Sequence, residues 1–215
     1  VDSGNSPDLG ARIYASQDGA AGAYVPTNLT LLTYSSTGAN SNQLVLRNDG
    51  KVGIGTSTPG SDVEMAIASD NMDLEIATYS TTDAHHSRVV LQKSSSATIG
   101  TLAETVGGER LGDIRFYGVN SSSGAGFGAE IRAVQNGAAG ATSIPTDLFI
   151  ESASNTAPNT NQLVLHNGGK VGIGTSNPQG DLHVHTSAGN VTHYVSTDDN
   201  SDSVIWFASD FDNNG

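Results

Sequence analysis

Apolar and polar residues alternate along several short stretches of the chain, the pattern expected of β-strands with one buried face. Between these stretches lie tracts rich in Ser, Asn and Gly, at 35–42, 120–128 and 154–161, which are typical of loops. We find no convincing amphipathic helix and predict an all-β fold with little or no helix. The alternating apolar positions are Leu29, Leu31, Val63, Met65, Ile67, Leu74, Ile76, Leu148 and Ile150.

The sequence contains an internal repeat. Residues 51–59 read KVGIGTSTP and residues 170–178 read KVGIGTSNP, 119 positions later. The match extends without gaps from 26–62 to 145–181, and upstream residues 11–23 match 129–141 at an offset of 118. Repeats of this kind indicate an array of similar structural units, and arrays are usually extended.

We therefore divide the chain into a first repeat unit, 1–128, and a second, truncated unit, 129–215. Their hairpin cores are 26–68 and 145–187. Because the sequence stops inside the second unit, we expect it to belong to a longer protein.

The repeated motif predicts a β-hairpin. Asn48, Asp49 and Gly50 follow an apolar strand and tolerate the positive φ angles of a tight turn. Gly53 and Gly55 remove side chains from alternate positions, which would let another part of the protein approach closely. Proline has no N–H to donate, so we expect the motif's proline to end the strand pairing. The predicted structural positions are Asn48, Gly50, Gly53, Gly55 and Pro59, and in the second copy Asn167, Gly169, Gly172, Gly174 and Pro178.

A glycine-rich G-x-G-T also suggests a phosphate-binding loop, but its context does not fit. Such loops open a helix, and the P-loop adds a Lys-Ser or Lys-Thr pair. Here the Gly-Thr is followed within three residues by a proline and then by another predicted strand. We therefore expect no nucleotide and no other cofactor.

The composition is unusual for a compact globule. Leu, Ile, Val and Phe together number 46 of 215 residues, whereas Gly alone numbers 26. This is close to the apolar content of about 20% below which charged chains tend to remain disordered. The chain must either form thin β layers or complete its core with other chains.

The formal charge of −13 argues against a nucleic-acid partner, which requires clustered Lys and Arg. No apolar run approaches the roughly 20 residues of a spanning helix, so we expect no membrane insertion. The sequence has no cysteine, which excludes disulfides and cysteine-ligated metals.

The stretch N-x-G-K-V-G-I-G-T-x-x-P, followed by a short strand of the L-H-V type, resembles a repeat of bacteriophage tail fibres and tailspikes. It stands at Asn48 to Pro59 and again at Asn167 to Pro178. The same motif occurs in some bacterial surface proteins. Many of these fibres end in a self-cleaving chaperone domain with a Ser/Lys dyad, which nothing here resembles, so we expect a shaft segment.

The resemblance implies an elongated, repeat-built trimeric β fibre, of β-prism or interleaved-sheet type, on the virion surface or otherwise extracellular. Its partners would be two copies of itself, other tail or fibre proteins, and a host-surface glycan. We expect the trimer core to come from the apolar strand faces. These residues are Leu44, Leu46, Val52, Ile54, Leu163, Leu165, Val171 and Ile173.

His183 and His185 fall on the same side of a predicted strand and are candidate metal ligands. In a trimer, three such pairs could supply six nitrogens to one ion on the axis. Against this, Leu182 and Val184 are the better candidates to face inward. The first copy has Glu64 and Ala66 instead, so the repeat itself does not require a metal.

Three further patterns suggest binding or catalytic sites. Asp210, Asp212 and Asn214 have the spacing of a calcium loop, although a polar turn explains them as well. Trp206 and Phe207, with Tyr194, could stack on a sugar. The acidic residues Asp113, Glu130 and Glu151 lie on or near predicted strands, but the sequence does not bring any two together as a catalytic pair.

We therefore expect a structural, non-enzymatic segment of a viral tail fibre or spike that extends toward a host receptor. A bacterial extracellular adhesin or filament subunit is the alternative, and a glycan-depolymerising tailspike is the third.

Overall fold

The computed structural model describes residues 10–187 and 189–191, and within them it contains twelve β-strands and no helix. The chain divides between Arg88 and Val89 into two compact units, Val1–Arg88 and Val89–Gly215. The predicted all-β fold is confirmed. This division differs from the repeat boundary at 128, which rests on sequence similarity alone.

The N-terminal unit, Val1–Arg88, forms one sheet in the order β1-β2-β4-β5-β6, with β3 paired to β2. All pairs are antiparallel except β5 with β6, which are parallel. Its strands are β1 (Ala11–Gln17), β2 (Thr27–Ser35), β3 (Gly38–Ala39), β4 (Leu44–Leu46), β5 (Val52–Ile54) and β6 (Val63–Met65).

The C-terminal unit, Val89–Gly215, repeats this topology and adds the edge strand β7, giving the order β12-β11-β10-β9-β8-β7. Here too the last pair, β11 with β12, is parallel. Its strands are β7 (Arg110–Val119), β8 (Ala125–Gln135), β9 (Thr146–Ser152), β10 (Leu163–Leu165), β11 (Val171–Ile173) and β12 (Leu182–Val184).

The register of the two sheets follows the offset found in the sequence. Ala11 pairs with Thr33 in the N-terminal unit, and Ala129 pairs with Ser152 in the C-terminal unit. Ala11 corresponds to Ala129 at an offset of 118, and Thr33 corresponds to Ser152 at an offset of 119. The aligned segments therefore adopt the same strand pairing in both units.

Two predicted details differ from the structure. Ala125 already belongs to β8, so the loop predicted at 120–128 is shorter and closes as a turn at Asn120, whose Oδ1 accepts hydrogen bonds from the amides of Ser122 and Gly124. The strand predicted around Leu74 and Ile76 does not form in the described chain, because its residues have no backbone partner there.

Successive side chains along a strand point to opposite faces of the sheet. In each sheet, one of these faces is covered and the other is open. We call the face that carries Val45 the covered face, and the face that carries Ile54 the open face. Val45 is 2% exposed, whereas Ile54 is 38% exposed. In the C-terminal unit the corresponding Val164 is 0% exposed and Ile173 is 41% exposed.

Candidate functional site: the repeated hairpin and its covering loop

The connection from β5 to β6 explains which face is covered. Because these strands run parallel, residues 55–62 must bring the chain back across the sheet before β6 can begin. We call residues 55–62, and the equivalent 174–181, the covering loop. Its proline, Pro59 or Pro178, is buried. The strand itself ends earlier, at Ile54, so the proline does not end the ladder as predicted.

The first glycine of the motif makes room for this loop. A Cβ atom on Gly53 would overlap the carbonyl oxygen of Thr56, and a Cβ on Gly172 would overlap that of Thr175 in the same way. Gly53 pairs with Val45, so the loop crosses the covered face at this point. A side chain at position 53 would push the covering loop away from the sheet.

The second glycine turns the chain into the loop. Gly55 has a φ of +79°, and a Cβ there would also overlap the carbonyl oxygen of Ala66. Its N–H donates to the Asn42 carbonyl at 2.7 Å. Gly174 has a φ of +75° and donates to Asn161 at 2.7 Å. Only glycine meets both requirements without strain.

The lysine of the motif holds the loop in place. Lys51 Nζ donates to the carbonyl oxygen of Pro59 at 3.3 Å, and Lys170 Nζ donates to that of Pro178 at 3.3 Å. The loop is also closed internally, since the Thr58 amide donates to Thr56 Oγ1 at 3.2 Å. The letters K, G, G, T and P of the motif thus build a hairpin and the loop that covers it.

The asparagine of the motif ties the hairpin turn to the preceding strands. Gly50 takes a φ of +86° at the turn, as its sequence position predicts. The Asn48 amide donates to Asn28 Oδ1, and Asn48 Nδ2 donates to the Asp18 carbonyl, both at 2.9 Å. In the second copy the Asn167 amide donates to Asp147 Oδ1 at 2.8 Å.

A glutamine that was not among the predicted positions performs a similar task. Gln43 Oε1 accepts from the backbone amide of Thr33 and from its hydroxyl, and Gln162 Oε1 does the same with Ser152. The sequence contained a signal for this role. The same polar residue stands directly before an apolar strand in both copies, which indicates a specific hydrogen bond.

The residues predicted as trimer core all lie on or next to the open faces. Leu46 pairs with Leu29 and Val52, and Ile54 pairs with Met65, so these side chains share one face. In the C-terminal unit, Leu163 pairs with Ile150 and Leu165 with Leu148. In the single chain these faces are the more exposed ones, since the covering loops protect the other side.

The two candidate metal ligands, His183 and His185, lie close to each other but not on the open, apolar face. His183 pairs with Gly172, on the covered face, and its Nδ1 accepts a hydrogen bond from the Gln179 amide at 3.3 Å. Its ring lies 5.8 Å from that of His185. Within residues 10–187 and 189–191, no three His, Asp or Glu side chains are grouped to hold a metal. The patterns at 194, 206, 207 and 210–214 lie outside the described residues.

Asp113, Glu130 and Glu151, the acidic residues noted in the sequence, lie together in an ionic cluster on the covered face of β7, β8 and β9. Arg132 contacts Glu130 at 2.7 Å and Glu151 at 2.9 Å, while its guanidinium lies 3.9 Å from the ring centre of Phe149. Glu130 and Glu151 are each 7% exposed. Both carboxylates are therefore already paired with an arginine of the same chain.

Arg110 and Arg115 extend the cluster. Arg110 contacts Asp113 at 2.9 Å and Glu130 at 3.1 Å, and Arg115 contacts Asp113 at 2.9 Å. The hydrogen bond from Arg110, with the charge of Arg115, lowers the pKa of Asp113 below its ordinary value. The N-terminal unit has Arg12, Tyr14, Thr30 and Leu32 at the positions of Glu130, Arg132, Phe149 and Glu151.

Comparison with known proteins adds evidence at the level of fold. No family profile and no curated protein matches the sequence. Among solved structures, the carboxy-terminal domain of the bacteriophage T5 L-shaped tail fibre matches with a TM-score of 0.58 and 14% identity, covering 95% of this chain and 86% of that one. The chain has the fold of this tail-fibre domain.

A second structure contains the same T5 domain together with its intramolecular chaperone domain. It matches with a TM-score of 0.60 and 14% identity. The alignment covers 97% of this chain and 62% of that one, so this chain spans less than two thirds of the longer tail-fibre structure. No helix in the described residues is long and apolar enough to cross a membrane.

Proposed function

We propose that this chain is a structural, non-enzymatic segment of a bacteriophage tail fibre and that it works as a homotrimer. The observation that carries the proposal is the imbalance between buried and exposed apolar side chains. In the described residues, four hydrophobic side chains are buried and 30 large ones are exposed. A single chain therefore leaves many large apolar side chains in contact with water, and each Å² of apolar surface left unburied forgoes about 25 cal/mol of stabilisation.

The open faces provide the surface that an assembly would bury. Both units present the same arrangement of Leu, Ile and Val there, because the covering loop protects only the opposite face in each. Three copies packed by these faces would share one core along the fibre. The ionic cluster and the loops would remain outside that core.

In this assignment the segment extends the fibre on the virion surface and connects it to other tail proteins. Its exposed turns, such as 35–43 and 154–161, are the surfaces available to a host glycan. The tail-fibre fold supports a mechanical role over a catalytic one.

The test is the mass of residues 1–215 in solution, measured by light scattering over a range of concentrations. A stable species of three times the chain mass of 22.0 kDa is expected. A folded species that stays at the mass of one chain at all concentrations would contradict the proposal and favour a stand-alone array of β-domains.

A further inference from the structure

A long connection, residues 66–109, separates β6 from β7 and contains no strand. Connections longer than about 12–15 residues without secondary structure are uncommon in compact domains. Two stretches within it nevertheless have the composition of strands, DLEIATY at 73–79 and HSRVVLQ at 86–92. We call these the first arm and the second arm.

A turn between the arms reverses the chain. The His85 amide donates to the Thr82 carbonyl at 3.0 Å, and the Ser80 hydroxyl lies 2.8 Å from His85 Nδ1. Beyond the turn the hydroxyls of Thr78 and Ser87 are 2.9 Å apart. The arms therefore start out side by side, in the manner of a hairpin.

Neither arm is paired through its backbone. In the described structure, no hydrogen bond between backbone groups involves any residue of either arm. Their apolar side chains are also exposed: Leu74 is 72% and Val89 is 69% exposed. Backbone groups and apolar side chains that lack partners together are the features of a strand whose neighbour is missing.

The contacts of the second arm indicate where its missing neighbour lies. Leu91 packs against Gly112, where a Cβ atom would come within 3.0 Å of the Leu91 Cβ. Around this contact, Ile114, Ile131 and Leu148 line an apolar cavity of about 170 Å³. Ile131 and Ile114 are paired, and Ile131 also pairs with Ile150 on the open face. The second arm thus runs onto the face that the proposed trimer buries.

We propose that both arms are β-strands whose pairing partners are supplied by another copy of this chain. The inference rests on the proposed trimer and deepens it, because the copies would then be joined by backbone hydrogen bonds as well as by side-chain packing. Exchange of strands between copies would satisfy the unpaired amides and cover Leu74 and Val89 in one step.

Amide hydrogen exchange, followed by mass spectrometry on the assembled protein, tests this. We expect amides in 73–79 and 86–92 to exchange at least about 100-fold more slowly than unprotected peptide. The ladder between β8 and β9, which lies within one chain, is the internal reference. The same measurement on the double variant Ile54→Asp/Ile173→Asp, designed to dissociate, should show the arms unprotected and that ladder still protected.

The outcomes separate the two proposals. A single-chain mass for the unaltered protein overturns the proposed trimer, and this inference with it. A trimer with freely exchanging arms overturns this inference alone. Arms that stay protected in the dissociated variant would show that they pair within one chain, which also overturns it.

A pair of proline variants provides an independent check. Ile76→Pro removes an N–H donor in the middle of the first arm, which an unpaired extended segment tolerates and a paired strand does not. Asp83→Pro is the matched control, because Asp83 is the second residue of the turn at 82–85, where proline is favoured. We expect Ile76→Pro to lower the trimer fraction at least about tenfold and Asp83→Pro to leave it unchanged. Equal assembly of both variants would contradict the inference.

Discussion

Gly53 and Thr56 are so close that the carbonyl oxygen of Thr56 occupies the space of any side chain at position 53. The same relationship holds between Gly172 and Thr175. It links the hairpin to its covering loop, and through that loop it decides which sheet face remains open. The shared motif is therefore a device for covering one face and leaving the other exposed.

Replacing Gly53 by alanine should displace the covering loop. Overpacking of this kind costs about 1–3 kcal/mol, and we expect a lower thermal midpoint for the N-terminal unit. Gly22→Ala is the control, because a Cβ at Gly22 would meet nothing within 4 Å. Thermal unfolding followed by circular dichroism compares the two. If both alanines have the same small effect, the close approach at Gly53 does not limit the fold.

The double variant Ile54→Asp/Ile173→Asp should prevent assembly and leave each unit folded. Both side chains are partly in water in the single chain, so a carboxylate there is tolerated until a partner covers it. Ile99→Asp introduces one such carboxylate at a fully exposed isoleucine and should assemble normally. Light scattering reports the mass of all three proteins. A trimeric double variant would show that the open faces are not the contact.

Removal of Arg132 should strongly destabilise the C-terminal unit. Arg132→Tyr leaves the buried carboxylate of Glu151 without its cation, and breaking a buried ion pair in this way costs about 3–5 kcal/mol. The double variant Arg132→Tyr/Glu151→Leu copies Tyr14 and Leu32 of the N-terminal unit and should recover most of the loss. Denaturant unfolding gives both values. A double variant as unstable as the single one would mean that the charge is not the cause.

Acid should loosen the segment that leads into β7. Ser95 Oγ donates to Glu109 at 2.9 Å and Val106 N–H donates to it at 3.2 Å; these bonds, helped by Lys93, lower the pKa of Glu109 below its ordinary value of 4.5. The pKa of Glu109 is lower in the folded protein than in the unfolded chain. The hydrogen bonds to its carboxylate therefore stabilise the fold fully when the pH is above the unfolded pKa. This stabilisation is lost as the pH falls from the ordinary value of 4.5 through the lower folded pKa.

An NMR titration of the Glu109 carboxyl group tests this directly. Ser95→Ala removes the hydroxyl that lowers the pKa most and should move it up toward 4.5. Ser121→Ala removes a hydroxyl elsewhere in the same unit and should leave the titration unchanged. A Glu109 that titrates at 4.5 or above in the unaltered protein would refute the assignment.

Much of the fold follows from local patterns in the sequence. Alternation predicted the strands around Leu29 and Leu148, and the repeat offset predicted that both would lie in the same type of sheet. The turn at Gly50 followed from residues that accept positive φ. These features depend on a few neighbouring residues, which is why one sequence was enough to predict them.

Other features depend on contacts that sequence spacing does not reveal. The parallel pairing of β6 sends the covering loop across one face, and this buries Pro59 where we expected it to end a strand. The meeting of Glu130 and Glu151 through Arg132 requires the register between β8 and β9. Leu74 and Ile76 alternate as a strand does, yet a strand needs a neighbour, and the described single chain provides none.

Each covering loop belongs to the hairpin that it protects, and this has a consequence for how such a gene can change. A crossover between the two KVGIGT coding stretches would insert or delete one whole module in frame. The new junction would already carry its own lysine, glycines and proline, so its covering loop would make the same contacts with its own hairpin. The number of such modules could then change by recombination alone, in steps of one repeat.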